Sequence, residues 1–597
     1  MSKTLVIVES PSKAQKIQDY LGKNYVVMAS KGHIADLAKG GKHGIGIDIE
    51  NKFKPRYVLM DDKVSLLDSL LKAAKQCDSI LVASDPDREG EAIAWHLASR
   101  LEDVGKPIKR MVFNEIKKDK LLKAVKDVRD IDMNLFHAQE ARRILDRLVG
   151  FTASPFLINF FGPNLSAGRV QSVVTRMIID REKEIDAFVP EDFWTIQATV
   201  SKDNKVGFTT KYSYRITDAK VAKDTKSKFD IVNDLFVADV VAEEEKRGAP
   251  PPLVTSSLQQ IMSKNHGFGA DRTMKAAQAL YESGYCTYIR TDSVRVGDEA
   301  LQDVRDFIKD KNYELPKKAN VFKNKDASQD AHECIRPSDL SLIPGDNFAI
   351  IDPDEKLVYE TIWKYFVASQ MMPAVYNTLK VTIRSKSDSN LELKASGKAL
   401  KSKGFLEILG VNDDSKIDIP NLSKGDKISL FGDKPIKLEK KQTQPQPRYS
   451  EDKLIKELVN KNIGRPATYA DLLSKITSRN YVEKKGNVYH ATELGKKITD
   501  ILNQFFTFMD YNYTADLESK LDLIESGKVE KVSMLQDFYK TFSAEIYKAY
   551  NTHTKDHRKC KKCQNFMIER EGKYGKYYSC VNISCKNMEK SQDNFAQ

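Results

Sequence analysis

Two short apolar runs, each ending on an acid, set the frame for this chain. Thr4-Leu-Val-Ile-Val8 reads as a buried strand that stops at Glu9, and Ser10-Pro-Ser-Lys13 then opens a helix with Pro11 in its first turn. A second run, Ser79 to Ser84, delivers Asp85-Pro-Asp87-Arg-Glu89-Gly-Glu91 into the turn before a helix over Ala92–Leu101. Lys106 to Ile116 reads as a further strand. Apolar strands alternating with helices predict an α/β unit with a parallel sheet, and ligands bind such sheets at the carboxyl ends of the strands. Glu9, Asp85, Asp87 and Glu89 can meet there as a hard-oxygen cluster for Mg²⁺. An acidic loop alone is more often a solvated face; the buried strand before it and the strand-terminal Glu9 set this one apart.

A second constraint lies mid-chain. Asp271 to Ser283 carries Met274, Ala277, Leu280 and Tyr281 on one helical face, and Gly284 follows where a helix end favours a left-handed residue. Tyr285 to Ile289 reads as a strand, so Tyr288 and Arg290, two apart, point to one side. A phenol is a poor nucleophile near neutral pH; a guanidinium beside it favours the phenolate and can hold a phosphate in two places. The pair suits covalent attack on a phosphodiester, although most of the 24 tyrosines must be packing residues.

Length and charge bound the rest. A chain of 597 residues exceeds one core and predicts several domains. The net charge of +12 is compatible with a polyanionic partner. No run of some 20 consecutive apolar residues and no signal-peptide pattern stand out, so an intracellular, cytoplasmic protein with no membrane partner is expected. Of seven cysteines, Cys77, Cys286 and Cys334 are scattered, while Cys560-x₂-Cys563 and Cys580-x₄-Cys585 form a four-cysteine pattern for tetrahedral Zn²⁺. Tyr574, Tyr577 and Tyr578 between them alternate with Gly and Lys, a pattern that suits a surface for stacking single-stranded bases, with a structural ribbon as the alternative. There is no G-x-x-x-x-G-K-[ST] loop, which argues against ATP as cofactor and against a helicase or gyrase.

Taken together, Val8-Glu9-Ser-Pro-Ser-Lys13, Asp85-Pro-Asp87-Arg-Glu89-Gly-Glu-Ala, Tyr288-Ile-Arg290-Thr-Asp-Ser and Ala331-His332-Glu333-Cys-Ile-Arg336-Pro-Ser closely resemble the motifs of type IA DNA topoisomerases of the bacterial topoisomerase I group, in family order. The resemblance implies a Toprim domain over 1–135 and a helical, winged-helix-like DNA groove over 136–190 and 441–550. It further implies a β hinge of the arch over 191–248 and 376–440, a winged-helix-like catalytic-tyrosine domain over 249–375, and a zinc ribbon over 551–597. It implies DNA contacts at His33, Arg142, Arg143, Asp146, Phe151 (where the family often has Tyr), Ser166, Ala167, Gly168, Arg169, Val170, Gln171 and Ser172. Further contacts are implied at Arg290, Arg336, Arg465, Thr468, Tyr469 and Arg479. The implied activity is ATP-independent, Mg²⁺-dependent relaxation of negatively supercoiled DNA by a monomer acting on single-stranded regions. Tyr288 would be the nucleophile, Glu9 the acid, and Lys13, Arg290 and His332 would stabilise the phosphorane. The competing readings are a Toprim nuclease or primase without a covalent tyrosine, and a non-catalytic single-strand binding scaffold.

Overall fold

The computed structural model describes residues 3–39, 45–324, 332–345, 349–553, 558–564, 567–572, 575–580, 585 and 587–590. The N-terminal sheet has four parallel strands in the order Tyr25–Ala29, Thr4–Val8, Ser79–Ala83, Ile108–Arg110. Leu5, Ile7, Ile80 and Val82 pack on one face, Val6, Val8, Leu81 and Ala83 on the other, which is why both runs are apolar throughout. Val8 pairs with Ala83, so Glu9 and the Asp85 loop leave the sheet side by side. The last strand is shorter than Lys106–Ile116. Buried Arg110 ends it by turning its guanidinium onto Glu91 and the carbonyls of Val82, Asp85 and Met111. The chain from Met111 to Ile116 then leaves the sheet toward the segment that carries Tyr288.

Strands from two distant segments build one antiparallel sheet of seven. Asp192–Ser201, Phe208–Tyr212 and Leu235–Arg247 come from the first; Ala374–Ser385, Glu392–Ser402, Ser429–Leu430 and Ile436–Gln442 come from the second. Between them lie the helices Thr255–His266, Ala270–Glu282, Asp298–Asp310 and Pro353–Ser369. Their apolar faces share one continuous cluster with Val6, Ile17, Phe113 and Ile116 of the N-terminal unit.

The helix expected from Phe136 to Gly150 runs from Met133 to Phe161, through Gly150 and Pro155. Gly and Pro cost a helix interior about 1 and 3 kcal/mol. Burial of Ala138, Ala141, Ile144, Leu145, Leu148, Phe156 and Leu157 against the helices Tyr511–Glu525 and Lys531–His553 offsets that. This helix is also long and apolar enough to cross a membrane, and half of its most apolar window is buried in the protein. Helices Glu451–Asn460 and Tyr469–Ser478 precede a hairpin of Val482–Lys485 and Val488–Ala491, turned at Gly486 with φ +59°. Three short strands, Met567–Gly572, Gly575–Cys580 and Met588–Lys590, form the C-terminal ribbon.

Candidate active site

The site lies where the carboxyl ends of the N-terminal strands meet the segment after helix Ala270–Glu282. Gly284 terminates that helix at φ +71°, and a Cβ there would stand 2.7 Å from the Ile116 carbonyl, so glycine is required both by conformation and by the close approach. The following residues form no strand; Cys286 makes a lone bridge to Pro337. The Tyr288 N–H donates to the Asn114 carbonyl at 2.7 Å, taking up an amide that a ladder would otherwise use. Tyr288 is thereby held against the acidic loop, and its hydroxyl donates to Asp87 Oδ2 at 2.5 Å. Arg290 comes to the same carboxylate, 4.0 Å away, with its side chain still 38% exposed.

Electrostatics at Tyr288 run opposite to the sequence expectation. Burial, then the charges of Asp87 and Asp85, push its phenol well above the ordinary range, and the downward pull of Arg290 is smaller. Tyr288 is therefore a hydrogen-bonded phenol, not a phenolate. Glu9, half-buried among the charges of Asp85, Lys13, Asp87 and Arg290, is raised to about 7 by burial and by Asp85.

The acids do not all converge: Glu9, Asp85 and Asp87 lie within reach of one another's charge, and Glu89 does not join them. Asp85 is buried and ion-paired with Lys13, which is itself buried. Asp87 caps helix Arg88–Leu101 by accepting from the Gly90 N–H at 2.8 Å. Glu89 faces the other way, toward His33 at 3.3 Å and Gln139 at 3.0 Å. Burial acts upward on Glu89, but those two partners outweigh it and bring the carboxyl down to about 2. His332 meets the Pro86 carbonyl at 3.1 Å, and burial lowers its pKa, so it sits there as a neutral donor. Among the described residues, Cys560, Cys563, Cys580 and Cys585 are the only group of three or more His, Cys, Asp or Glu whose ligand atoms all lie within 4.8 Å of one another. Four thiolates around zinc have sulfur–sulfur edges of about 3.8 Å. The Cys560–Cys585 and Cys563–Cys580 separations of 3.5 and 3.4 Å fit that cage.

Of the arginines expected on DNA, Arg142 and Arg169 are buried in ion pairs and Arg465 is partly buried, while Arg142 and Arg465 also line open space. Arg142 and Arg169 both pair with Glu518, which is fully buried; Arg169 also reaches Asp146 at 3.2 Å. Arg465 donates to Asp522 at 2.5 Å and lies 4.0 Å from Glu518. Arg336 is not in this groove at all. It bridges Glu333 at 3.0 Å and Glu115 at 3.3 Å, tying the tyrosine segment to the N-terminal unit. Neither Glu518 nor Glu115 was singled out from sequence; the only signal for the first was a carboxylate inside an apolar helical face. The amides of Ser166, Ala167 and Gly168 are occupied by Tyr481, Ser154 and Ser172, and Val170 and Ser172 are buried.

What remains open is a cleft of about 440 Å³ lined by His33, Glu89, Arg142, Arg143, Asp146, Arg290 and Thr468, adjoining a smaller recess between Asp87, His332 and Arg465. Arg143 is half-exposed on Asp36 at 2.6 Å. Phe151 is exposed with the Arg147 guanidinium 4.4 Å over its ring. Gln171 lies partly buried at the start of helix Gln171–Asp186; Tyr469 is buried and Arg479 exposed. In the ribbon, Tyr577 and Tyr578 are half-buried, Arg558 lies 4.1 Å over the Tyr578 ring, and Tyr574 falls outside the described residues.

Residues 130–536 match the protein family described as DNA topoisomerase, and residues 4–116 match the Toprim domain. Among solved structures, the full-length topoisomerase I from Thermotoga maritima is similar with a TM-score of 0.80 and 33% sequence identity, over 99% of this chain and 98% of that one.

Proposed function

The chain belongs to the bacterial-type type IA DNA topoisomerases, and from that premise we propose how its own residues cut and reseal a strand. The reading rests on one observation: a buried tyrosine hydroxyl already donating to a Toprim carboxylate beside a protonatable glutamate.

The Tyr288 oxygen attacks the phosphorus of a single-stranded segment. Its proton passes to Asp87, the acceptor it already holds. The bond from phosphorus to the 3′ oxygen breaks, and Glu9, neutral until about pH 7, gives that oxygen its proton. Arg290 faces the charge that builds on the phosphate, and His332, whose single N–H is held by the Pro86 carbonyl, joins it only by releasing that carbonyl. Resealing reverses each transfer, with Glu9 taking the proton back, and the bond energy is kept in the phosphotyrosine, so ATP is not used. Underwound DNA is the preferred substrate because it exposes a single strand, and one chain inside the cell suffices for the chemistry.

The acid loop fits Mg²⁺ by its donor chemistry, with Asp85 and Asp87 nearest the nucleophile and Glu89 reaching the site only if it leaves His33. When bound, the ion supplies positive charge that holds the phosphate and the freed 3′ end. The four cysteines fit structural Zn²⁺. Plasmid relaxation with Mg²⁺ and without ATP, by wild type and Tyr288→Phe, tests the scheme. Single-step relaxation by wild type alone supports it; nicking by both proteins places the active site elsewhere.

A further inference from the structure

Tyr281 is a second tyrosine at this site that the scheme above does not use. It occupies the last turn of helix Ala270–Glu282 and is completely buried. Its ring meets the Tyr288 ring edge to face, with centroids 5.3 Å apart, and the Lys13 ammonium lies 4.6 Å over it. Nucleophile, ring and ammonium thus form one packed stack, and the ring alone is enough to hold it. The hydroxyl has no such explanation. It is buried without a hydrogen-bond partner among the described residues. Buried hydroxyls nearly always find a partner, and leaving one unpaired is unfavourable. Phenylalanine would fill the same space without that penalty.

The surroundings say what kind of partner is missing. A phenol is a donor near neutral pH, and burial, then the charge of Asp85, raises this one further. Of the nearby carboxyls, Asp85 is paired with Lys13 and Asp87 accepts from Gly90 and Tyr288, and neither these nor Glu9 accepts from the Tyr281 hydroxyl. We propose that the Tyr281 hydroxyl is a further catalytic donor, held unpaired in the closed site so that it can hydrogen-bond an oxygen of the DNA phosphate attacked by Tyr288. The inference rests on Tyr288 being the nucleophile. No covalent step is added; the hydroxyl stabilises the charge that the attack places on the phosphate oxygens.

The test is single-turnover formation of the covalent adduct on a short single-stranded oligonucleotide at saturating full-length protein with Mg²⁺, comparing wild type, Tyr281→Phe and Tyr288→Phe. Melting temperature and oligonucleotide binding by anisotropy are measured on the same samples. The expected result for Tyr281→Phe is unchanged or higher melting temperature, unchanged binding, and an adduct-forming rate lower by more than about fivefold, as for loss of one donor to a transition-state oxygen. A smaller change in rate overturns the proposal, because the hydroxyl then serves only packing or a water. An adduct formed by Tyr288→Phe would instead overturn the underlying reading, and the two failures are told apart by which variant misbehaves.

Discussion

The interface around Tyr288 and the charge cluster around Glu518 use the same residue types to opposite ends. At the interface Arg290 stays 38% exposed and stands 4.0 Å from a carboxylate that a phenol already occupies. In the cluster Arg142 and Arg169, with side chains 10% and 0% exposed, are locked onto a glutamate with no exposure at all. A guanidinium free to change partner can meet a substrate. One whose carboxylate has been taken out of water with it holds helices Met133–Phe161 and Tyr511–Glu525 in register, since losing either partner strands a buried charge.

The contrast is sharpest at the nucleophile. Tyr288→Phe is expected to abolish adduct and relaxation while leaving the melting temperature close to wild type, as read by denaturing gels and calorimetry. Arg290→Ala should follow with adduct formation slowed by about 100-fold and little loss of stability. The cluster should behave the other way: Glu518→Ala should cost about 3–5 kcal/mol of folding stability, while the fraction still folded forms adduct at the wild-type rate. A folded, stable Glu518→Ala protein that no longer binds DNA would erase the distinction.

Acidity separates the two regions by sign. Glu9 has a folded pKa of about 7 against an ordinary 4.5, so its contribution to stability is complete below about 4.5 and lost as pH rises to 7. The adduct-forming rate, which uses its proton, should likewise fall above about pH 7. Glu518 goes the other way: burial raises it, but Arg142, Arg169 and Arg465 hold it well below the carboxylate range. Its contribution is present above its ordinary 4.5 and is lost as pH falls below that. Unfolding followed from pH 3 to 9 should show the cluster failing on the acid side. The smallest effect belongs to Arg143, half-exposed on Asp36. Arg143→Ala should change stability by less than about 1 kcal/mol, yet weaken oligonucleotide binding and lower its salt dependence.

Much of the frame was legible locally. The strands Thr4–Val8 and Ser79–Ala83 announce themselves because both faces are buried, and the helix stop at Gly284 because its φ is positive. The four cysteines converge because a knuckle and a hairpin bring them together within a short stretch. The expected strand at Tyr285–Ile289 did not form because the Tyr285 amide closes the preceding helix on Leu280 and those of Thr287 and Tyr288 go to Arg336 and Asn114, about which strand propensity carries no information.

Sequence by itself therefore determined the Toprim sheet, the cysteine cage and the family, since each rests on residues whose meaning is set by near neighbours. Only the tertiary structure decided which charges are available. Asp87 and Tyr288 lie 201 residues apart, and Arg142 and Glu518 lie 376 apart. Whether an arginine is a hand for phosphate or a buried strut depends on the carboxylate that the folded chain sets against it and on how much water remains between them.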